Sequence, residues 1–158
     1  IPNLSDALSL VGGRVALNIE VKSDGAGALT AAHIAGAGYQ GEVLISSFKE
    51  REVLDAKRAL PHVPAAGIFD DFAVPEVSAY EKTGCGVISL RKKTVTRKLV
   101  AALHGRNIKV YVWTVDEEAE MEKFIKKMET LQRKALMQIG KEDQQAPARG
   151  KEQLRYIG

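Results

Sequence analysis

The sequence predicts an α/β fold built on a parallel sheet. Five short segments rich in β-branched residues recur along the chain, starting at residues 15, 43, 65, 87 and 108. Successive starts are 28, 22, 22 and 21 residues apart, and helical patterns fill the gaps. Short apolar strands alternating with helices are the mark of consecutive βαβ units, whose strands are covered on both faces.

Each element has a local cause. Asn3 is placed to cap an opening helix, with Asp6 three residues on and Leu4, Ala7, Leu8 and Val11 on one face. The first strand is Val15–Val21. An alanine-rich helix follows over Thr30–Ala37 and ends among Gly36 and Gly38. The second strand, Val43–Ser47, leads to a helix over Lys49–Leu60 that Pro61 stops. The third and fourth strands are Ala65–Phe69 and Val87–Leu90. Thr94 or Thr96 can start the next helix, with Leu99, Val100 and Leu103 inward and Gly105 after it. The fifth strand is Ile108–Trp113. Thr114 and Glu117 have the spacing of a capping box. The helix they would open carries Met121, Phe124, Ile125, Met128 and Leu131 at the period of a core-facing stripe. Beyond about Gly140 the apolar period fades, and a polar basic tail is expected over 138–158.

Composition bounds the function. The chain has 158 residues, 45% of them hydrophobic and 27% charged, which suits one globular domain and is short for two. No apolar run is long enough for a transmembrane helix. Cys85 is the one cysteine, so neither a disulfide framework nor a cysteine zinc site is available, and it fits a reducing compartment. A cytoplasmic location is the expectation. Residues 122–158 hold nine Lys/Arg against five Asp/Glu, whereas residues 1–121 hold fourteen against fifteen. The net +3 therefore resides in the last stretch. With only two aromatics, Phe124 and Tyr156, and mixed signs it reads as a solvated segment, and no nucleic-acid partner is expected.

In parallel α/β folds ligands sit at the C-terminal ends of the strands. The first strand supplies Asn18, Glu20 and Lys22, which period two places on one face. Three polar groups on a buried strand cost several kcal/mol if unpaired, so water, a metal or a ligand is expected beside them. A Glu–Lys pair satisfying itself is the alternative. The second strand ends in Ser46-Ser47-Phe48, suited to a phosphate or sugar oxygen or simply to a helix cap. The fifth ends in Trp113, either a pocket wall or ordinary core. His33, His62 and His104 fall away from strand ends and lack metal-ligand spacing. Gly25 and Gly27 follow a strand without the rest of a dinucleotide motif, and no P-loop lysine accompanies them. Asp70-Asp71 raises a receiver-like acidic pocket, which the neighbouring segments do not support.

Four stretches in register resemble the later part of the glycerophosphodiester phosphodiesterase family. They are Ile1-Pro-Asn-Leu-Ser-Asp-Ala-Leu8, Leu17-Asn-Ile-Glu-Val-Lys22, Val43-Leu-Ile-Ser-Ser-Phe48 and Val110-Tyr-Val-Trp-Thr-Val115. The Leu60-Pro61 step before the third strand fits as well, and the resemblance covers roughly residues 1–127. It implies a (β/α) barrel that hydrolyses glycerophosphodiesters of lipid metabolism with Mg²⁺ or Ca²⁺. By the same resemblance Glu20 would bind the metal, Lys22 would neutralise phosphate charge, and Phe48 and Trp113 would line the glycerol side of the pocket.

The chain also departs from that family. No His-Arg-Gly or His-Asp sequence occurs in it, and residues 126–158 show no Gly-x-Asp-Gly-Ile-x-Thr-Asp strand. Closing eight βα units takes about 200–250 residues, so the expectation is a partial TIM-type barrel over 1–137 with parallel strands in sequential order. A truncated or divergent chain of this kind is expected to be impaired as an enzyme. Its open edge would need cover from the C-terminal helix, a second copy or a missing segment. The competing expectations are a non-catalytic binding or scaffold module on the same fold and an unrelated five-stranded doubly wound domain.

Overall fold

The computed structural model describes residues 3–126, 129 and 130. Asn3 opens α1 (Leu4–Val11) as its sequence requires. Its side chain accepts from the Asp6 N–H, and the Asp6 carboxylate accepts from the Asn3 N–H. Strand β1 (Leu17–Glu20) is shorter than the expected segment, because its partner strand begins opposite Leu17 and leaves Val15 nothing to pair with. Helix α2 (Ala26–Gly36) begins four residues ahead of Thr30, on an N-terminal cap supplied from elsewhere in the chain. Strand β2 (Val43–Ser47), helix α3 (Glu50–Ala59) and strand β3 (Ala65–Phe69) follow closely as expected.

A short turn of 3₁₀ helix (Val74–Glu76) and α4 (Val77–Lys82) then lead to β4 (Val87–Arg91). Neither helical piece stands out in the sequence, since six residues hold too little period to read. Thr96 caps α5 (Arg97–His104), accepting from the Leu99 N–H, and β5 (Lys109–Trp113) comes next. Residues 118–126 are helical, but Thr114 does not cap them. The chain runs on without helical turns through 114–117, and the Glu117 carbonyl accepts the first turn's bonds from Glu120 and Met121.

All five strands are parallel and stand in the order β1-β2-β3-β4-β5. Sequential order with helical crossovers is the connectivity of a (β/α) barrel. It excludes the doubly wound alternative, whose order reverses at a switch point. The result is a curled half-barrel. Two apolar clusters lie between the sheet and its helices: one around Ile45, Ile34 and Ala56, the other around Ile88, Leu90 and Leu103. A third, of Leu44, Ala66 and Val87, sits on the opposite, concave face.

The stripe expected on the last helix is only partly buried. Phe124 packs against the larger cluster, while Met121 and Ile125 are 42% and 57% exposed. Among the described residues the sheet ends at β5, and no further strand covers that side. Met128, Leu131 and the expected tail over 138–158 lie outside the described residues. No described helix is long and apolar enough to cross a membrane.

Candidate functional site

Strand register decides which side chains meet. In the aligned parallel sheet Glu20 pairs with Ser46, Ser46 with Ala66, Ile68 with Ser89, and Arg91 with Trp113. These residues share the concave face, because alternate residues of a strand do. Extending that alternation past the strand ends brings Lys22, Phe48 and Asp70 to the same C-terminal rim.

The polar face of β1 is as expected. Asn18, Glu20 and Lys22 are exposed, whereas Leu17 and Ile19 pack against the helices. Lys22 Nζ lies 3.8 Å from Glu20 Oε1, with side chains 79% and 37% exposed. So long and open an ion pair contributes little to stability, and both groups remain available at the mouth. Neither is buried in a dry interior.

Phe48 and Trp113 meet edge to face with ring centroids 5.7 Å apart. Their strands are three intervals apart, roughly 14 Å in a flat sheet. Only a curled sheet with both rings leaning inward closes that gap. Arg91 places its guanidinium carbon 5.9 Å from the Trp113 ring centroid and pairs with Asp70 at 3.0 Å. The Trp113 Nε1 donor is buried with no partner among the described residues.

The serines of β2 act structurally. Ser46 donates to Asn18 Oδ1 at 2.8 Å. Ser47 donates to the Val21 carbonyl and accepts from the Lys49 N–H, so it holds the loop after β1 and starts α3. A further tie to that loop escaped sequence reasoning. The Glu52 carboxylate, on a 1%-exposed residue of α3, accepts from the N–H groups of Gly25 at 2.8 Å and Gly27 at 2.7 Å. Those amides hold its carboxyl below the ordinary glutamate range. The helix N-terminus that resembled half a phosphate loop thus already receives a protein anion. The available signal was an acid beside Val53 and Ala56 on the buried side of α3.

A protein-family model described as the glycerophosphoryl diester phosphodiesterase family matches residues 14–130. The chain belongs to that family. No curated protein matches the sequence. Among solved structures, the chain is similar to an Oleispira antarctica phosphodiesterase in complex with the product sn-glycerol-3-phosphate. The TM-score is 0.69 at 18% identity, over 86% of this chain and 61% of that one. It is also similar to a glycerophosphodiester phosphodiesterase from Parabacteroides distasonis, with a TM-score of 0.66 at 15% identity over 87% of this chain and 65% of that one. At such identities the likeness is one of fold. The chain spans less than two thirds of the length of either structure.

Members of the glycerophosphoryl diester phosphodiesterase family are generally dependent on a divalent metal, and the described residues fit one poorly. A hard cation takes about six oxygen ligands or more. No group of three His, Cys, Asp or Glu gathers among the described residues. Other rim carboxylates are held by cations: Asp24 by Lys49, Asp70 by Arg91, Asp71 by Lys93 and Glu120 by Lys92. The same pairing disposes of an acidic pocket at Asp70-Asp71. Glu20 supplies one carboxylate of the several oxygens such a cation takes.

The histidines stay away from the rim. His33 Nδ1 bonds the Leu29 carbonyl on α2, and His104 ends α5, where burial lowers its pKa. His62 lines a cleft of about 760 Å³ at the opposite, N-terminal end of the strands, beside Asn18, Tyr39, Lys109 and Tyr111. That cleft lies at the other end of the strands from Phe48 and Trp113. It opens because the five strands leave that end of the concave face without facing side chains.

Proposed function

We propose that the rim binds a glycerophosphodiester, the substrate class of the family. Lys22 offsets phosphate charge, Phe48 and Trp113 contact the glycerol carbons, and Glu20 is the carboxylate this chain offers toward a divalent cation. The single observation that carries this reading is the edge-to-face contact of Phe48 with Trp113 at the strand ends, on the rim to which alternation along β1 also brings Glu20 and Lys22. The phosphodiesterase similar in fold, whose structure contains sn-glycerol-3-phosphate, supports it.

The chemistry assigned to these residues is binding. An ammonium beside a phosphoryl oxygen stabilises the charge that grows there during ester cleavage. The mutually perpendicular rings present an apolar wall to carbon. Proton transfer needs an acid and a base within hydrogen-bond reach of the reacting oxygens, and the described histidines lie elsewhere. Hydrolysis by this polypeptide by itself is therefore expected to be impaired, and homo-oligomerisation through the open sheet edge goes with that expectation.

Trp113 is the one tryptophan in the chain, so its fluorescence reports on this site. Titration with sn-glycerol-3-phosphate is expected to give a saturable change that Lys22→Gln weakens about tenfold, the worth of one charge-assisted hydrogen bond. In parallel, release of glycerol 3-phosphate from glycerophosphocholine with Mg²⁺ or Ca²⁺ is compared between the native chain and Glu20→Gln. A flat fluorescence titration would sink the binding assignment. Brisk hydrolysis at equal rates in both proteins would remove Glu20 from any role.

A further inference from the structure

The geometry points to Arg91 as a second phosphate-binding side chain, held at the rim by Asp70 and handed to the phosphate when ligand enters. This deepens the proposed function and rests on it. Val87, Ser89 and Arg91 alternate along β4, and Val87 belongs to the concave cluster with Leu44 and Ala66. Arg91 therefore leaves the strand on the concave face at the same end as Lys22, in direct register with Trp113.

Its neighbours in sequence are differently committed. Lys92 pairs with Glu120 in the chain after β5, and Lys93 with Asp71. Arg91 instead lies beside the Trp113 ring at 5.9 Å, the ring that also touches Phe48. Stacking on an aromatic restrains the plane of a guanidinium.

Asp70 engages one guanidinium nitrogen, Nη1, at 3.0 Å. A guanidinium has five N–H donors in a planar fork that matches two oxygens of a phosphate. The side chains of Arg91 and Asp70 are 49% and 55% exposed, and a pair so open to water is weakly held. Exchange of the Asp70 carboxylate for a phosphate is then a small rearrangement. Asp70 competes with the ligand, so its removal should help binding. A pair that merely braced the rim would show no such gain.

The test reads Trp113 fluorescence during titration with sn-glycerol-3-phosphate, inorganic phosphate and glycerol, with folding of each variant checked by circular dichroism. Arg91→Gln is expected to weaken both phosphate ligands about tenfold. Arg91→Lys, which keeps the charge without the fork, should fall between, and Asp70→Asn should bind both more tightly. Glycerol should give no saturable response in any protein. Native binding with Arg91→Gln unchanged, or with Asp70→Asn weakened, overturns the assignment of Arg91 and leaves the proposed function standing. No response of the native chain to either phosphate ligand overturns both. Inorganic phosphate bound as tightly as glycerol phosphate keeps Arg91 and removes the glycerol contact of the rings.

Discussion

Tyr80 joins two strands to which its own helix does not belong. Its hydroxyl accepts from the Gly67 N–H of β3 at 2.9 Å and donates to the Val87 carbonyl of β4. Burial raises its pKa above the ordinary tyrosine range, so it stays a protonated donor. Its ring also explains Gly67, where a Cβ would fall 3.1 Å from Tyr80 and 2.6 Å from Phe69. Tyr80→Phe keeps the ring and orphans a buried N–H and carbonyl. It should cost about 1–3 kcal/mol in urea unfolding, and an unchanged midpoint would show that water replaces the hydroxyl. Among site residues, Glu20 and Lys22 were legible because period two separates them from Ile19 and Val21. Arg91 was not legible, because a run of Arg91, Lys92 and Lys93 does not say which cation turns inward.

At the scale of elements, α2 depends on α3. Its start at Gly25 has φ 73° and no local side-chain cap, and Glu52 supplies the missing acceptor. The helices approach so closely that a Cβ on Gly27 would lie 2.2 Å from the Glu52 carbonyl oxygen. The Gly27 and Gly25 amides lower the folded-state pKa of Glu52. Its contribution is therefore full above the unfolded pKa, about 4.3, and is lost as pH falls from there through the folded value. Thermal midpoints between pH 7 and 3 should drop more steeply for the native chain than for Glu52→Gln, and parallel curves would mean that the carboxylate does not hold α2. The caps of α1 and α5 were legible because Asn3 and Thr96 sit beside the helices they open. That of α2 was not, since its acceptor arrives from 25 residues away. At Thr114 the local signal misled, because the chain stays non-helical to Glu117.

At the scale of the molecule, β1 and β5 are the outer strands of the sheet among the described residues, and apolar side chains are exposed near them: Leu10 and Val15 on one side, Met121 and Ile125 on the other. Parallel edges with exposed apolar neighbours invite pairing with another chain. Sedimentation velocity should show mass rising with concentration, and the double substitution Met121→Lys, Ile125→Lys should lower it. A native chain that sediments as one species at every concentration would remove the β5 side as an association surface.

The succession of strands and helices, the polar face of β1 and the local caps were determined by the sequence by itself, because each is written in neighbouring residues or in a period of two or 3.6. Sequential strand order was already expected from the family resemblance. The curl that brings Phe48 to Trp113, the Asp70–Arg91 pair and the Glu52 cap were decided only by tertiary structure. Each joins residues far apart in the chain, and no local period encodes how far the sheet bends.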